Sequence, residues 1–383
     1  MSAARLLLVN AHGADEFSGG AELYVAQLAD GMAERGFDIE ILSAFPSHDR
    51  GRSVTVLHDS DWRTSPTRRV RNHLGDVVSI PTHRLDELVA RARPDVMHTN
   101  NLPGFSTAIW RVAEKHGVPV VHTLHDYYLL CPRVTLLQPD GSPCRPRPLL
   151  CGLRTKRLAR WAGAVSHLIA VSTYLLDRHE SLFPKATHHT IRLQVAPPER
   201  ALRPPGERLA TLGYLGSLER TKGIERLLAA APGLAQLGCD IRIAGNGRLR
   251  EEVAAAAARE PNVSYEGPVS GEQKDRFFEE CDAGIVPSVW EEPGAPSMTV
   301  LEWLAARRPV LVSPRGGAAE IVDELDGVIP VQPDADAIVR AIEDLSAPAR
   351  WRDLMPRVRP PAANLEDWLS AHEHVYREAL GRA

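Results

Sequence analysis

Gly216-Ser217-Leu218-Glu219-Arg220-Thr221-Lys222-Gly223 follows one apolar run and opens a helical one. A lysine and an arginine in such a turn can neutralise a departing diphosphate, although a solvated turn with incidental charges would read the same way. Farther on, Pro287 to Glu302 reads PSVWEEPGAPSMTVLE. A strand ends at Pro287, a Gly/Pro loop follows and a helix starts near Ser297. That order sets Gly294, Ala295, Pro296, Ser297, Met298 and Thr299 around a helix N-terminus. Unpaired amides there favour phosphate oxygens, while Glu292 and Glu302 can accept hydrogen bonds from hydroxyls. Either glutamate, taken alone, could be a solvated surface charge.

Three further sites share the strand-then-turn setting. Gly19-Gly20-Ala21-Glu22 opens a helix, where glycine permits close approach of a phosphate, but an ordinary tight turn uses the same residues and the GxGxxG pattern is absent. Gly245-Asn246-Gly247 is a similar turn, suited to a flat base or a ribose. His125, in Thr123-Leu124-His125-Asp126-Tyr127-Tyr128, stands at the C-terminal end of an apolar strand, where ligands of open α/β sheets collect. Its imidazole could bind a sugar hydroxyl, stabilise charge, or be a buried structural histidine.

The elements that must position these residues alternate regularly. Leu6–Val9, Ile39–Leu42, Asp95–His98, Val118–Leu124 and His167–Val171 read as strands, with helices over Ala21–Arg35 and Ser106–Lys115. A Pro/Gly-rich stretch at 197–206 then interrupts the pattern and reads as a linker. Beyond it, strands are expected at Leu212–Leu215, Ile241–Ala244, Val263–Tyr265, Gly284–Pro287 and Pro309–Val312, with helices from Ile224 and from Leu249. Leu365–Leu380 forms a last amphipathic helix, with Leu365, Trp368, Leu369, His372, Val375, Tyr376 and Ala379 near one face. Continuous apolar runs between helices indicate parallel sheets covered on both faces. The expected domains are therefore 1–196 with 364–383, and 207–360.

Bulk composition agrees with a globular chain. It has 383 residues, 44% hydrophobic and 25% charged, with a formal net charge of -4 that gives no reason to expect nucleic acid. No apolar run approaches the about eighteen residues of a membrane span, and Leu6–Val9 is far too short for a signal-peptide core. Reduced thiols and a cytoplasmic setting, or the inner face of a membrane, are the expectation.

Taken in order, these pieces resemble the retaining family 4 glycosyltransferases of the GT-B fold, and the likeness runs nearly the length of the chain. Besides the GGAE turn, Arg93-Pro94-Asp95-Val96-Met97-His98-Thr99-Asn100 is similar to the family's RPDVVHxHN. Ala170-Val171-Ser172 looks like its AVS strand end, Gly216 to Gly223 like its GxLxxxKG turn, and Gly316-Gly317-Ala318-Ala319-Glu320-Ile321-Val322 like its GGxxEIV loop. His125-Asp126-Tyr127-Tyr128 with Cys131-Pro132 is similar to a subgroup carrying HDYW…CP.

The resemblance implies two doubly wound Rossmann-like domains facing a central cleft, with the last helix crossing back to the first domain. It implies transfer of a sugar from a nucleotide diphosphate, UDP- or GDP-linked first, to a hydroxyl of a glycan, lipid-linked or small-molecule acceptor. No metal or other cofactor is required. His125 would face the donor sugar, Lys222 the diphosphate, Glu302 the ribose and Glu292 the transferred sugar. Gly19, Gly20, Ser217, Arg220, Gly245, Gly247 and residues 294–299 would complete the donor site, and Asn100, Asp126 and Tyr127 the acceptor site. Two positions depart from the pattern. Ser217 stands where arginine is frequent, with Arg220 able to supply the charge. Nine residues, not seven, separate Glu292 from Glu302. Ser217 and the glutamate spacing leave room for a sugar-nucleotide binding protein without chemistry, whereas the GGAE turn and the Glu302 loop argue against the other GT-B rivals, an epimerase or a phosphorylase.

Two features lie outside this scheme. Cys131, Cys144 and Cys151 could join a histidine around zinc, but no CxxC knuckle is present and reduced loop thiols are the expectation. From Gly141 to Leu176 there is no acidic residue, while Arg145, Arg147, Arg154, Lys156, Arg157 and Arg160 are present. Residues 145–160 could contact an anionic membrane or a phosphorylated acceptor, or form a solvated basic face.

Overall fold

Leu6, Leu7, Leu8 and Val9 have no polar neighbour to turn outward, so they can only form a strand buried on both faces, and each is at most 1% exposed. In this computed structural model, which describes residues 3–12, 19–45, 54–58, 78, 80, 82–138, 141–195, 198, 200–360 and 364–381, that strand starts the first of two parallel sheets.

The chain divides into two compact units: residues 1–136, 144–192 and 366–383, and residues 137–143 with 193–365. In the first, β1 (Arg5–Asn10), β2 (Asp38–Ser43), β3 (Val54–Val56), β4 (Val96–Thr99), β5 (Val120–Leu124), β6 (Val165–Ala170) and β7 (Thr187–Thr190) pair in the order β3-β2-β1-β4-β5-β6-β7, all parallel. In the second, β8 (Thr211–Leu215), β9 (Asp240–Ala244), β10 (Val263–Gly267), β11 (Ala283–Val286), β12 (Val310–Val312) and β13 (Val328–Pro330) run β10-β9-β8-β11-β12-β13, again all parallel. Both are Rossmann-like, and each order reverses once, between β1 and β4 and between β8 and β11. Those reversals open a crevice beyond the carboxyl ends of the strands, and ligand sites of such sheets gather there.

Each unit has its own core. The second is built around Trp303, Phe277, Phe278, Ile241, Ile243, Ile285 and Leu311. In the first, the C-terminal helix Leu365–Ala379 lays Trp368, Leu369, His372, Val375 and Tyr376 inward, the face its 3.6-residue period marks out. A buried chain of hydrogen bonds fixes it there. His372 donates from Nδ1 to Trp368 O at 2.7 Å, so its Nε2 must accept from the Tyr24 hydroxyl at 2.6 Å. Thr123 Oγ1 then donates to the Tyr24 oxygen, and His98 Nε2 donates to Thr123 at 2.7 Å. Tyr376 closes the set by donating to His98 Nδ1 at 2.6 Å. Each of these five side chains is buried, and one proton direction satisfies them all without a charge.

The stretch expected as a linker is tied down where it is described. Arg200 pairs with Glu279, Gly206 N donates to Asp282, and Trp351 Nε1 donates to Gly206 O. Buried Arg308 reaches the Arg203 carbonyl. Residues 200–206 are thus an integral edge of the second unit, held by polar contacts that a Pro/Gly count does not reveal.

Candidate functional site

In the second unit, the two loops that leave the strands flanking the reversal converge. The turn after β8 contains a short 3-10 stretch, Arg220–Lys222, and Val289 N donates to Thr221 O at 3.0 Å from the loop after β11. Gly223 makes the approach feasible. Its φ is +73°, and a Cβ there would lie 1.8 Å from Pro287 O. Across that contact Lys222 Nζ donates to both carboxylate oxygens of Glu292, at 2.8 and 3.0 Å, and lies 5.0 Å from the Trp290 ring centroid. The Ser288 hydroxyl donates to Glu292 Oε1.

Glu292 is 3% exposed. Burial would raise its pKa, but the Lys222 ammonium, with hydrogen bonds from Lys222 and Ser288, holds it below the usual carboxylate value. Its backbone is gripped as well: Glu292 N donates to Arg315 O and Gly317 N donates to Glu292 O at 2.7 Å. The Gly316-Gly317 pair therefore braces the glutamate through backbone contacts. Composition gives Ser288, Trp290 and Arg315 no special weight; only the fold sets Ser288 on the carboxylate, the Trp290 ring by the Lys222 ammonium and the Arg315 carbonyl on the Glu292 amide.

The rest of this loop leads into a helix start. Gly294, Ala295 and Pro296 are buried, and Ser297, Met298 and Thr299 are half-buried at the start of helix Met298–Ala305, whose N-cap Ser297 makes no side-chain cap. First-turn amides there have no intrahelical partner and suit phosphate oxygens. Glu302, one turn in, receives Lys274 Nζ at 3.0 Å. Arg220 is exposed and 3.4 Å from Glu225, and Ser217 is exposed, its carbonyl accepting from the Tyr214 hydroxyl. Gly245, expected to admit a flat ligand, instead admits backbone: a Cβ there would lie 1.8 Å from Gly216 O. Gly247 likewise packs on Leu218, so both glycines seat the β9 turn against the Lys222 turn.

In the first unit, His125 follows β5 beside the reversal. Its Nε2 donates to Asn100 Oδ1 at 2.9 Å, and Tyr24 meets its ring edge-on at 4.6 Å. Burial, with a smaller contribution from His372, lowers its pKa to about 3, so the imidazole is neutral. Asp126 accepts from Tyr128 N at 2.7 Å. Burial raises its pKa to about 6 against the opposing pull of that amide and of Arg154. Tyr127 is fully buried with its ring parallel to His179, so it supports the strand end from inside. Asn100, also buried, hands its amide to Val9 O and its oxygen to His125. Gly19 and Gly20 open helix Gly20–Glu34, with Glu22 in its first turn.

Two domain models match this chain: Glycosyltransferase Family 4 over residues 18–192 and Glycosyl transferases group 1 over residues 210–347. The chain carries the paired domains of a glycosyltransferase. The glycosyltransferase is 28% identical to an uncharacterized 42.6 kDa protein in the cps region of Klebsiella pneumoniae, covering 79% of this chain and 83% of that one. Among solved structures it is similar to sucrose-phosphate synthase from Thermosynechococcus elongatus, with a TM-score of 0.69, 18% identity and coverage of 99% and 100%. It is also similar to HepE from Anabaena in complex with UDP, with a TM-score of 0.65, 16% identity and coverage of 98% and 100%. These likenesses establish the GT-B fold.

Other expectations resolve more simply. Cys131 is buried and Cys144 and Cys151 are half-buried, and none of the three is in a disulfide. Of the basic run read from the sequence, Arg154 is buried, while Arg147 is exposed but still lends its guanidinium to neighbouring acceptors. Arg154 Nη1 donates to Tyr128 O at 2.6 Å, and Arg147 donates to Leu130 O and to Thr155. They brace the loop after His125, a role that charge counting missed. Among the described residues no helix is long and apolar enough to cross a membrane.

Proposed function

We propose that this glycosyltransferase moves a sugar from a nucleotide-diphosphate donor, UDP- or GDP-linked, to an acceptor hydroxyl with retention of anomeric configuration and without a required metal. The second unit holds the donor and the first unit the acceptor. The carrying observation is the meeting of Lys222 and Glu292 at the reversal of the second sheet, beside an uncapped helix start. As the bond to the diphosphate breaks, charge grows on the leaving oxygen. Lys222, Arg220 and the amides of Met298 and Thr299 stabilise it where the Gly294–Ser297 loop admits the phosphates. Glu292 is ionised, so it cannot donate a proton; it orients Lys222 and accepts from a sugar hydroxyl. Glu302 accepts from the ribose. His125, neutral and oriented by Asn100, donates or accepts at a sugar oxygen without adding charge.

Thermal shift against UDP-, GDP- and dTDP-sugars tests the donor reading without knowledge of the acceptor. One nucleotide family should raise the Tm by several degrees, and the matching sugar should be slowly hydrolysed or transferred. Absence of any shift and of any hydrolysis across the panel overturns the proposal.

A second reading concerns where the acceptor is met. Helix Leu149–Ala159 leaves Leu149 89%, Leu150 78% and Leu153 62% exposed, beside the cations Lys156, Arg157 and Arg160. Lys156, Arg160 and Lys185 line a concavity of about 370 Å³ alongside. Exposed leucines followed on one helix by cations suit the headgroup boundary of an anionic bilayer. Flotation with anionic vesicles should carry the protein, and serine at all three leucines should release it; equal flotation of that variant removes the membrane contact.

A further inference from the structure

The outer edge of the first sheet gathers three side chains that no step above uses. His167 on β6, His189 on β7 and Glu378 in the last turn of the C-terminal helix bring their ligand atoms within 4.8 Å of one another. His167 Nε2 and His189 Nε2 face the same oxygen, Glu378 Oε2, at 4.0 and 3.8 Å, and the two imidazoles stack at 5.6 Å. Those separations are too long for hydrogen bonds. His189 Nε2 and Glu378 Oε2 are both shielded from water with no hydrogen-bond partner.

The tautomer of His167 explains why no proton closes the gap. Ser166 donates its hydroxyl proton to Val120 O at 3.0 Å, so its oxygen can only accept from His167 Nδ1–H at 3.1 Å. The Nε2 lone pair of the neutral ring therefore points at a carboxylate oxygen, an unfavourable pairing of two acceptors. A cation between them reverses the sign of the interaction. The Ser166 contact is also the kind of outer-shell bond that sets a metal-binding histidine.

We propose that His167, His189 and Glu378 hold a divalent transition-metal ion, zinc by chemistry, which ties the end of the C-terminal helix to the two outer strands of the first sheet. Two imidazole nitrogens and a carboxylate are a zinc donor set, and bonds of about 2.0–2.1 Å at tetrahedral angles separate ligands by about 3.4 Å. Closing the two His–Glu distances of 3.8–4.0 Å to that value takes shifts of about half an ångström, and the two histidines, within 4.8 Å of one another, close by up to about 1.4 Å. His374, one helical turn before Glu378 and exposed, has Nε2 3.7 Å from Glu378 Oε1 and can swing in as the fourth ligand. The site is structural and belongs to the first unit, whereas the proposed donor residues belong to the second, so it is compatible with transfer that needs no metal.

The test uses the full chain, tag-free and stripped with a chelator, titrated with ZnCl2 by calorimetry and with Co2+ by visible absorption. One equivalent should bind, Co2+ should show four-coordinate d–d bands, and the Tm should rise by about 5 °C at saturating zinc. His189→Ala and the conservative Glu378→Gln should each weaken binding by at least about 100-fold. Glu378→Gln keeps the shape of a partly exposed side chain and so reports even where His189→Ala folds poorly. His83→Ala, at an exposed surface His–Glu pair, should change nothing. Absence of binding, or one-equivalent binding left intact by Glu378→Gln, overturns the site.

Discussion

The two units place their functional side chains by the same topology and charge them in opposite ways. Each sheet reverses once, and each reversal carries polar residues on the loops beside it. In the second unit that polarity is an ion pair, Lys222 on buried Glu292. In the first it is a set of neutral groups: His125 on Asn100, above the directed chain from His98 through Thr123 and Tyr24 to His372. Every histidine among the described residues falls in the first unit. Topology fixes where a site forms; what surrounds it decides which protonation states survive there. A carboxylate stays ionised when buried only because a cation meets it, whereas imidazoles with complementary tautomers can be buried without charge.

The largest effect should come from breaking the ion pair. Lys222→Ala removes the cation and leaves Glu292 a buried, uncompensated carboxylate. Transfer or donor hydrolysis should fall by more than about 100-fold. The stability of the second unit should drop by about 3–5 kcal/mol, read by calorimetry. Adding Glu292→Gln to that variant should recover most of the stability and none of the rate. If Lys222→Ala melts like the parent, the pair is not a charged contrast to the first unit at all.

The next test is pH. Burial lowers the pKa of His372 from 6.5 to about 4, and those of His122 and His125 to about 3. Below pH 6.5 the unfolded chain takes up protons that the folded chain refuses, so the first unit should lose stability as pH falls from 6.5 toward 4. The Glu292 pKa is depressed instead, so its contribution is complete above about pH 4.5 and is lost only as pH falls through the lower folded value. Two melting transitions followed against pH should therefore part company, the first unit softening first. His372→Gln keeps an acceptor for Tyr24 and removes the titration. It should abolish about 3 kcal/mol of the loss between pH 6.5 and 4. Parallel pH profiles for both transitions would dissolve the distinction.

The same contrast explains what could be read before folding. Apolar runs announced the central strands, and the turn holding Lys222 and the loop holding Glu292 stood out because glycine, proline and charge coincide there. The edge strands β3, β7 and β13 did not. β7 is Thr-His-His-Thr, paired among the described residues only with β6, and an edge strand needs no doubly apolar sequence. The histidine chain was equally silent, because His98 and His372 are 274 positions apart and only the fold makes them neighbours. The β9 glycines were legible as glycines but not as to purpose: the close approach they permit is by the Gly216 backbone.

Gly223→Ala sharpens the comparison with a smaller perturbation. The added Cβ would meet Pro287 O at 1.8 Å in a backbone conformation that alanine resists, so the two loops must separate. The second unit should lose about 1–3 kcal/mol and donor affinity should fall, while the melting of the first unit stays unchanged. A shift in both transitions would show that the two sites are not independently built.

The smallest effect is the most discriminating. Lys222 and Glu292 together carry no net charge, so a pyrophosphate arriving at the pair is not answered by Lys222 alone. The exposed cation nearest in sequence is Arg220, whose guanidinium is 71% exposed and 3.4 Å from Glu225, too solvated to stabilise the fold measurably. Arg220→Ala should therefore leave both melting transitions in place and weaken nucleotide-sugar binding severalfold, with a steeper salt dependence in the parent than in the variant. If binding and its salt dependence are unchanged, the diphosphate is balanced without Arg220. Its charge would then have to displace Glu292 from Lys222, making the ion pair a latch that the donor opens.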